Sequence, residues 1–516
     1  MSSANKVALN TGILYGRMLV TMGISLYSTR LILSALGSTD YGIFNLIAGV
    51  IAMLSFLNTA MATSTQRFLS FHQGKKDLPM QKKVFTNSLL LHVGIGLLIV
   101  LTLELVGLFL FNGFLNIPLD RIEQAKSVYH FMSVTVFFTI VSVPFTGSLV
   151  AHENMLWIAV VNVVETMLKL GIALLLLYIS TDKLIIYGFL TASISVLSLF
   201  LYIYYCFRTY EDCTLENFTV VDIPVIKQLT SFAGWNLFGS LCGLGRSQGI
   251  AVLLNLFFGA VINAAYGIAN QVAAQLNFFS STMLRVLNPQ IMKSEGANDR
   301  KRMLRLSMMA SKFGFFLLAY FAIPCIFEMP AILSLWLRNV PEHTSIFCRL
   351  MLVGALVNQL TIGLQSAAQA TGRIKAYQAV VGSVLLLNLP LAYFLLNNGY
   401  PAYSVLIGYA FIEAIACVLR VLFLKYLTGM SITEYVNRVF MREVVPVFLT
   451  VTACYFVSNY LESTYRFIFT TIVSVSVFSV SIYLSGLCKD EKEMFDRLFV
   501  KLKSTVFRGK SYASSK

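Results

Sequence analysis

Long apolar runs, broken by short polar or glycine-bearing stretches, fill the chain from about residue 8 to residue 487. A helix that spans a bilayer needs about 20 predominantly apolar residues. The runs divide into about fourteen such segments: 8–34, 42–69, 84–111, 125–150, 157–179, 183–207, 228–257, 260–287, 306–327, 345–370, 375–397, 402–427, 443–461 and 465–487. The first, from Ala8 to Leu36, is too long for the apolar core of a signal peptide and lacks a small-residue cleavage site, so it reads as a spanning helix. Asn45, Asn58 and Gln66 in the second segment, and Asn270, Gln271, Gln275 and Asn277 in the eighth, put amides on several faces. Those two helices are expected to border a hydrated lumen able to hydrogen-bond sugar hydroxyls. The pattern predicts an all-α polytopic membrane protein.

Composition agrees. Of 516 residues 57% are hydrophobic and 12% charged, against about 25% charged in soluble domains. The net charge of +15 raises nucleic acid as a partner, but the placement of the basic residues removes it. With the N-terminus inside, 26 of the 39 Lys and Arg fall in cytoplasmic segments and 7 on the opposite side, the positive-inside asymmetry. Both termini are therefore expected in the cytoplasm. In the tail, Phe495, Leu498, Phe499, Leu502 and Val506 share a helical face opposite Arg497, Lys501 and Lys503, a pattern suited to an anionic membrane surface. Ser431-Ile-Thr-Glu434 has the form of a capping box opening a connector before the last two spans.

An internal echo organises the rest. Tyr41-Gly-Ile-Phe-Asn45 opens the second helix and Tyr266-Gly-Ile-Ala-Asn270 the eighth; Gly16-Arg17 and Gly245-Arg246 precede them by 24 and 20 residues. Ala151-His-Glu-Asn154 and Ala370-Thr-Gly-Arg373 match more weakly in the same order. The expected organisation is two pseudo-symmetric six-helix lobes, 1–207 and 208–427, a connector with helices thirteen and fourteen, 428–488, and a basic tail, 489–516. Transport sites form where such repeats meet.

Charges inside apolar helices are costly, about 2.5–3.5 kcal/mol each at a helix centre. Arg17 and Arg246 lie deep in the first and seventh helices and are the leading candidates to bind an anionic substrate; an interhelical salt bridge or a snorkelling side chain is the structural alternative. Arginine suits phosphate or carboxylate because its planar fork pairs with both oxygens. Arg30, Arg67, Arg285 and Lys312 lie nearer helix ends, where snorkelling is cheap; Arg30, Arg285 and Asn270 remain secondary substrate candidates. Glu165 and Lys169 are spaced i,i+4, as a structural pair or a proton-responsive element. Glu104 and Glu413 stand alone on the third and twelfth helices as candidate ion-coupling sites, with Arg420 two turns beyond Glu413 as its alternative ion-pair partner. Gly12-xxx-Gly16 and Gly239-xxx-Gly243 permit close helix approach.

The chemistry of an enzyme is not visible. No phosphate loop, HExxH or GxSxG occurs. The 8 cysteines form no CxxC, and the 5 histidines have no metal-ligand spacing. With no cofactor expected, the energy source is an H+ or Na+ gradient, the membrane potential or the substrate's own gradient.

Arg30-Leu-Ile-Leu-Ser-Ala-Leu-Gly37, Asp40-Tyr-Gly-Ile-Phe44, and Ala368-Gln-Ala-Thr-Gly-Arg373 with Lys375 and Tyr377 resemble the motifs of Wzx-type polysaccharide repeat-unit flippases of the multidrug/oligosaccharidyl-lipid/polysaccharide exporter superfamily. The resemblance implies two six-helix lobes in a V around a cationic cavity. Arg17 and Arg246 then correspond to cavity arginines on the first and seventh helices. It implies an undecaprenyl-diphosphate-linked oligosaccharide as substrate, moved by alternating access across the bacterial inner membrane for O-antigen, capsule or exopolysaccharide assembly. Membrane lipids, a polysaccharide polymerase and a chain-length regulator are the implied partners. An anion moving outward through an inside-negative potential is assisted by about 2.3 kcal/mol per charge per 100 mV. The two extra C-terminal helices depart from the twelve-helix pattern and resemble the tail-groove pair of lipid II flippases. The other readings are a drug/cation antiporter of the same superfamily, which requires an acidic cavity, a lipid II flippase, and a membrane polymerase or ligase.

Overall fold

The computed structural model describes residues 3–52, 55–111, 117–215, 221–337, 339–461 and 465–493, and every regular element among them is helical. The amphipathic tail expected over 489–516 lies outside the described residues from 494 onward. Eleven of the described helices are long and apolar enough to cross a membrane, and up to twelve if a bent pair counts as one span. That measure falls short of the fourteen expected, for two physical reasons. The second and eighth helices carry the amides noted above and fail on apolarity. The first two spans also follow one another without a loop, as one helical stretch, α1 (Ser3–Ala52), kinked at Gly37. At about 1.5 Å per residue, fifty residues span about 75 Å, far beyond one bilayer. The turn is made at Gly37, with φ 77° and ψ 171°, a conformation open essentially to glycine alone.

The chain forms two compact units. The N-terminal unit comprises 9–240 and 292–299; the C-terminal unit comprises 1–8, 241–291 and 300–516. The division falls inside α8 (Ile223–Phe258), not in the loop after residue 207.

In the N-terminal unit α1 is followed by α2 (Ser55–Lys75), α3 (Leu78–Phe109), α4 (Ile122–Val141), α5 (Val143–Ala151), α6 (Met155–Leu175) and α7 (Lys183–Thr209). Asp77, Asn154 and Asp182 cap α3, α6 and α7, each carboxylate or amide oxygen accepting from a first-turn N–H. Ile43, Phe44, Ile47, Leu103, Val128, Tyr129 and Leu184 form its core, and the Tyr129 hydroxyl donates to Leu103 O at 2.5 Å. Near the basic loops α2 meets the last turns of α9 (Ala260–Gly296) through glycine. A Cβ on Gly74 would sit 2.1 Å from Lys293 O, and one on Gly296 would sit 2.0 Å from Phe71 O. Close approach was expected at Gly12-xxx-Gly16 and Gly239-xxx-Gly243; among the described residues nothing lies within 4 Å of the Cβ positions at Gly12, Gly16 or Gly243.

In the C-terminal unit α8 turns into α9 at Gly259, φ 79°. There follow α10 (Arg300–Phe327), α11 (Met329–Trp336), α12 (Thr344–Gln359), α13 (Ile362–Thr371), α14 (Lys375–Leu386), α15 (Asn388–Asn397), α16 (Ser404–Thr428), α17 (Ile432–Tyr435), α18 (Met441–Tyr460) and α19 (Arg466–Ser481). The core gathers Ile250, Leu254, Tyr266, Leu318, Phe347, Leu352 and Leu406. The Ser431 cap is present: its hydroxyl accepts from Glu434 N at 3.3 Å. The last two spans are tied to the rest of the unit by two ion pairs, one buried and one with a buried carboxylate. Arg466 of α19 holds Glu328 at the far end of α10 at 3.0 Å, and Lys312 of α10 pairs with Glu491 just beyond α19.

The repeated motif has a repeated local structure. Asn45 Nδ2 donates to Tyr41 O at 2.8 Å, and Asn270 Nδ2 donates to Tyr266 O at 3.1 Å.

Candidate functional site

The charged centre of the C-terminal unit is built around Glu413 of α16, a carboxylate with 0% side-chain exposure. Three donors fill it. Arg246 Nη1 of α8 reaches Oε2 at 2.7 Å; Arg420 Nη2 and Asn358 Nδ2 each reach Oε1 at 2.9 Å. Glu413 and Arg420 lie two turns apart on one helix, so a single face of α16 presents both. The Arg246 guanidinium also stacks 4.5 Å above the Tyr409 ring, one turn before Glu413. Glycines bring the neighbouring helix in: a Cβ on Gly249 would meet Leu389 at 2.5 Å.

The second anchor is a helix break. Between α12 and α13 the chain bends by 40° at Leu360 and Thr361. Inside a membrane, a carbonyl freed by such a break must find an internal partner. The Tyr435 hydroxyl donates to Leu360 O, and Arg420 Nη1 donates to Thr361 Oγ1 at 3.1 Å. Arg420 thus joins the break to the carboxylate, and the cluster of two guanidiniums and one carboxylate keeps one surplus positive charge.

The N-terminal unit holds Arg17 on α1, half-buried, with Glu165 of α6 and Tyr202 of α7 within electrostatic reach. Its Nε has no hydrogen-bond partner among the described residues. Measured from the glycine turns, Arg17 lies twenty residues before Gly37 and Arg246 thirteen before Gly259. The difference is about 10 Å of helix at 1.5 Å per residue, so the two arginines do not sit at matched distances from their turns.

Several expected site residues occupy other settings. Glu104 is not isolated: His130 Nδ1 of α4 lies 2.7 Å from its carboxylate. Glu165 and Lys169 form no ion pair; Lys169 is exposed and Glu165 half-buried. Asn270 spends its amide on its own helix. Arg30 and Arg285 are exposed side chains, on α1 and α9. Two residues read as snorkelling cations are buried: Lys312 in its pair with Glu491, and Arg67 against the rings of Phe68, Phe71 and Phe232. Asp40 of the early motif binds Arg121, which also holds Asp182, at 3.2 and 2.6 Å; it secures the turn between helices. Glu443 of α18 drew no notice in the sequence, and it is buried.

The family model described as "Polysaccharide biosynthesis protein" matches residues 5–295, more than half of the chain. The chain belongs to this family. The fold of the chain is similar to that of solved membrane transporters. A MATE transporter in its bent conformation is 14% identical and aligns over 83% of this chain and 98% of its own, with a TM-score of 0.73. An outward-facing multidrug resistance MATE transporter of the MOP superfamily is 15% identical over 83% and 96%, with a TM-score of 0.71. A MOP superfamily transporter from Pyrococcus furiosus, whose structure is described as having a binding pocket of reverse polarity, is 15% identical over 83% and 98%, with a TM-score of 0.69. No curated protein sequence matches the chain. Family and fold together make this polysaccharide biosynthesis protein a multi-pass membrane protein with the fold seen in MATE transporters.

Proposed function

We propose that the chain is a flippase that carries an anionic lipid-linked oligosaccharide, an undecaprenyl-diphosphate-linked repeat unit, from the cytoplasmic to the outer leaflet of the bacterial inner membrane. Both termini face the cytoplasm, and a polymerase and a chain-length regulator act on the product. The observation that carries this reading is the state of Glu413. A cation or drug antiporter that holds its cargo at the charged centre needs a carboxylate there that is free to exchange one cation for another. Here the buried acid of the charged centre is filled by Arg246, Arg420 and Asn358, and the surplus charge is positive. Membership of the polysaccharide biosynthesis family supports a glycan precursor as cargo. Arg17, with an unpartnered Nε, supplies a guanidinium whose fork suits a diphosphate.

The test is complementation of a strain lacking its own repeat-unit flippase, reading surface glycan and protein level together. Arg17→Ala is expected to lower surface glycan at least about tenfold, the loss of about 1.4 kcal/mol of binding, at unchanged protein level. Because Arg246→Ala also strips Glu413 of a partner, the informative variant there is the charge-neutral double Arg246→Met/Glu413→Gln, expected to insert normally and export poorly. Full export by Arg17→Ala, Arg17→Lys and the double variant alike would defeat the proposal.

A further inference from the structure

None of the expected ion-coupling carboxylates is both buried and free. Glu413 is saturated, Glu104 is bound to His130 on an open face, and Glu165 is half-buried within electrostatic reach of Arg17. Glu443, in the first turn of α18, is both. It is 1% exposed, and neither carboxylate oxygen has a hydrogen-bond partner among the described residues. Buried polar groups in native proteins almost always find a partner, so this exception calls for an explanation.

The surroundings supply it. Glu443, Pro446, Thr450 and Cys454 form the buried face of α18. From α10, Lys312, also 1% exposed, lies within electrostatic reach of Glu443. Lys312 is already engaged: its ammonium pairs with Glu491 and touches Cys488 Sγ at 3.5 Å, while Glu491 also accepts from Cys488 N at 2.8 Å. Of the remaining groups around Glu443, Arg442 turns away and donates to Ser485 O at 2.9 Å. Arg438 is shared between Glu434 and Asp490 at 3.3 and 3.4 Å. On the side facing α16 stands the buried Tyr435 hydroxyl, bound to Leu360 O and within electrostatic reach of Glu443, Cys417 and Arg420. Two carboxylates therefore share one ammonium in a water-poor interior, and charge balance is short by one positive charge.

We propose that Glu443 is a proton-binding site of this transporter, one proton joining a carboxylate oxygen to complete the Lys312–Glu443–Glu491 cluster and leaving it when α18 and its surroundings open to water. A proton fits and a metal ion does not: a metal cation needs a shell of several oxygens, and the Lys312 ammonium would repel it. Tyr435 and Arg420 connect this site to the α12–α13 break and to Glu413, so its protonation state is placed to bias the charged centre. This inference concerns ion coupling and deepens the transport reading; the site itself does not depend on which molecule is carried.

The test is infrared difference spectroscopy on the purified, full-length, reconstituted protein, titrated with acid and separately with Na+ at fixed pH. Wild type is expected to show a protonated-carboxyl C=O band that Glu443→Gln lacks and Glu443→Asp shifts. Glycan export by wild type is expected to depend on pH, with that dependence lost in Glu443→Gln. Should the Gln variant fail to fold, Lys312→Arg keeps the charge count, and the same band must appear there at a shifted frequency. An identical carboxyl band in Glu443→Gln, or a wild-type band that answers to Na+ and not to acid, overturns the proposal. A Glu443 band in a protein that exports no glycan would instead count against the cargo reading alone.

Discussion

Replacing Arg246 by methionine leaves the buried Glu413 carboxylate with Arg420 and Asn358 as its donors. The loss of one charge-assisted hydrogen bond in a buried setting is about 1.5–3 kcal/mol. Pairing the change with Glu413→Gln should recover part of it, with a coupling energy of about 0.5–3 kcal/mol in a double-mutant cycle read by thermal unfolding in detergent. Additive effects would show that the pair is not linked as the distances require. Glu413 and Arg420 were legible as a pair because their spacing puts both on one helical face. Arg246 was legible as a deep charge but not as a bound one, since its partner stands 167 residues away. The same blindness hid Lys312–Glu491 and Glu104–His130. Glu443 was missed for a different reason: it stands beside Arg438 and Arg442 at the start of an apolar run, and only packing in the folded chain makes it buried.

Among the elements, the hydrophobic pattern located the helices well and misjudged their joints. The Gly37 turn falls in the polar gap between the first two apolar segments, 8–34 and 42–69, so its place was legible and its backbone conformation was not. Its φ of 77° and ψ of 171° are costly to any residue with a Cβ, about 1–3 kcal/mol. Gly37→Ala should lower thermal stability by that amount, whereas Gly12→Ala, with nothing within 4 Å of its Cβ, should be neutral or better. Equal effects of the two would contradict the turn geometry. The α2–α9 contact offers a steric counterpart: at both Gly74 and Gly296 an added methyl strikes backbone, so alanine at either position should reduce accumulation of folded protein in the membrane. The break between α12 and α13 was read as one continuous span over 345–370, because apolarity does not report a bend that Tyr435 and Arg420 hold from other helices.

At the scale of the molecule, family and fold were legible in the sequence, the family through short motifs and the fold through the succession of apolar segments. The status of α18 and α19 did not. They look appended in sequence, but α10 binds them at both ends through Lys312–Glu491 and Glu328–Arg466. Deleting everything after residue 431 leaves Lys312 of α10 and Glu328, at the start of α11, without their ion-pair partners. Breaking a buried pair by losing one partner typically destabilises by about 3–5 kcal/mol. The truncated protein should therefore be degraded, and adding Lys312→Leu and Glu328→Gln should restore part of its level on an immunoblot. A truncated chain that accumulates normally without those changes would show that the two clamps contribute little.

A carboxylate held by three donors also constrains the history of a sequence. Losing Glu413 alone would leave two adjacent guanidiniums repelling each other in a dry interior; losing either arginine alone would erase the charge surplus. The three positions should consequently travel as a set, so that relatives either keep Arg246, Glu413 and Arg420 together or have exchanged all of them for uncharged residues.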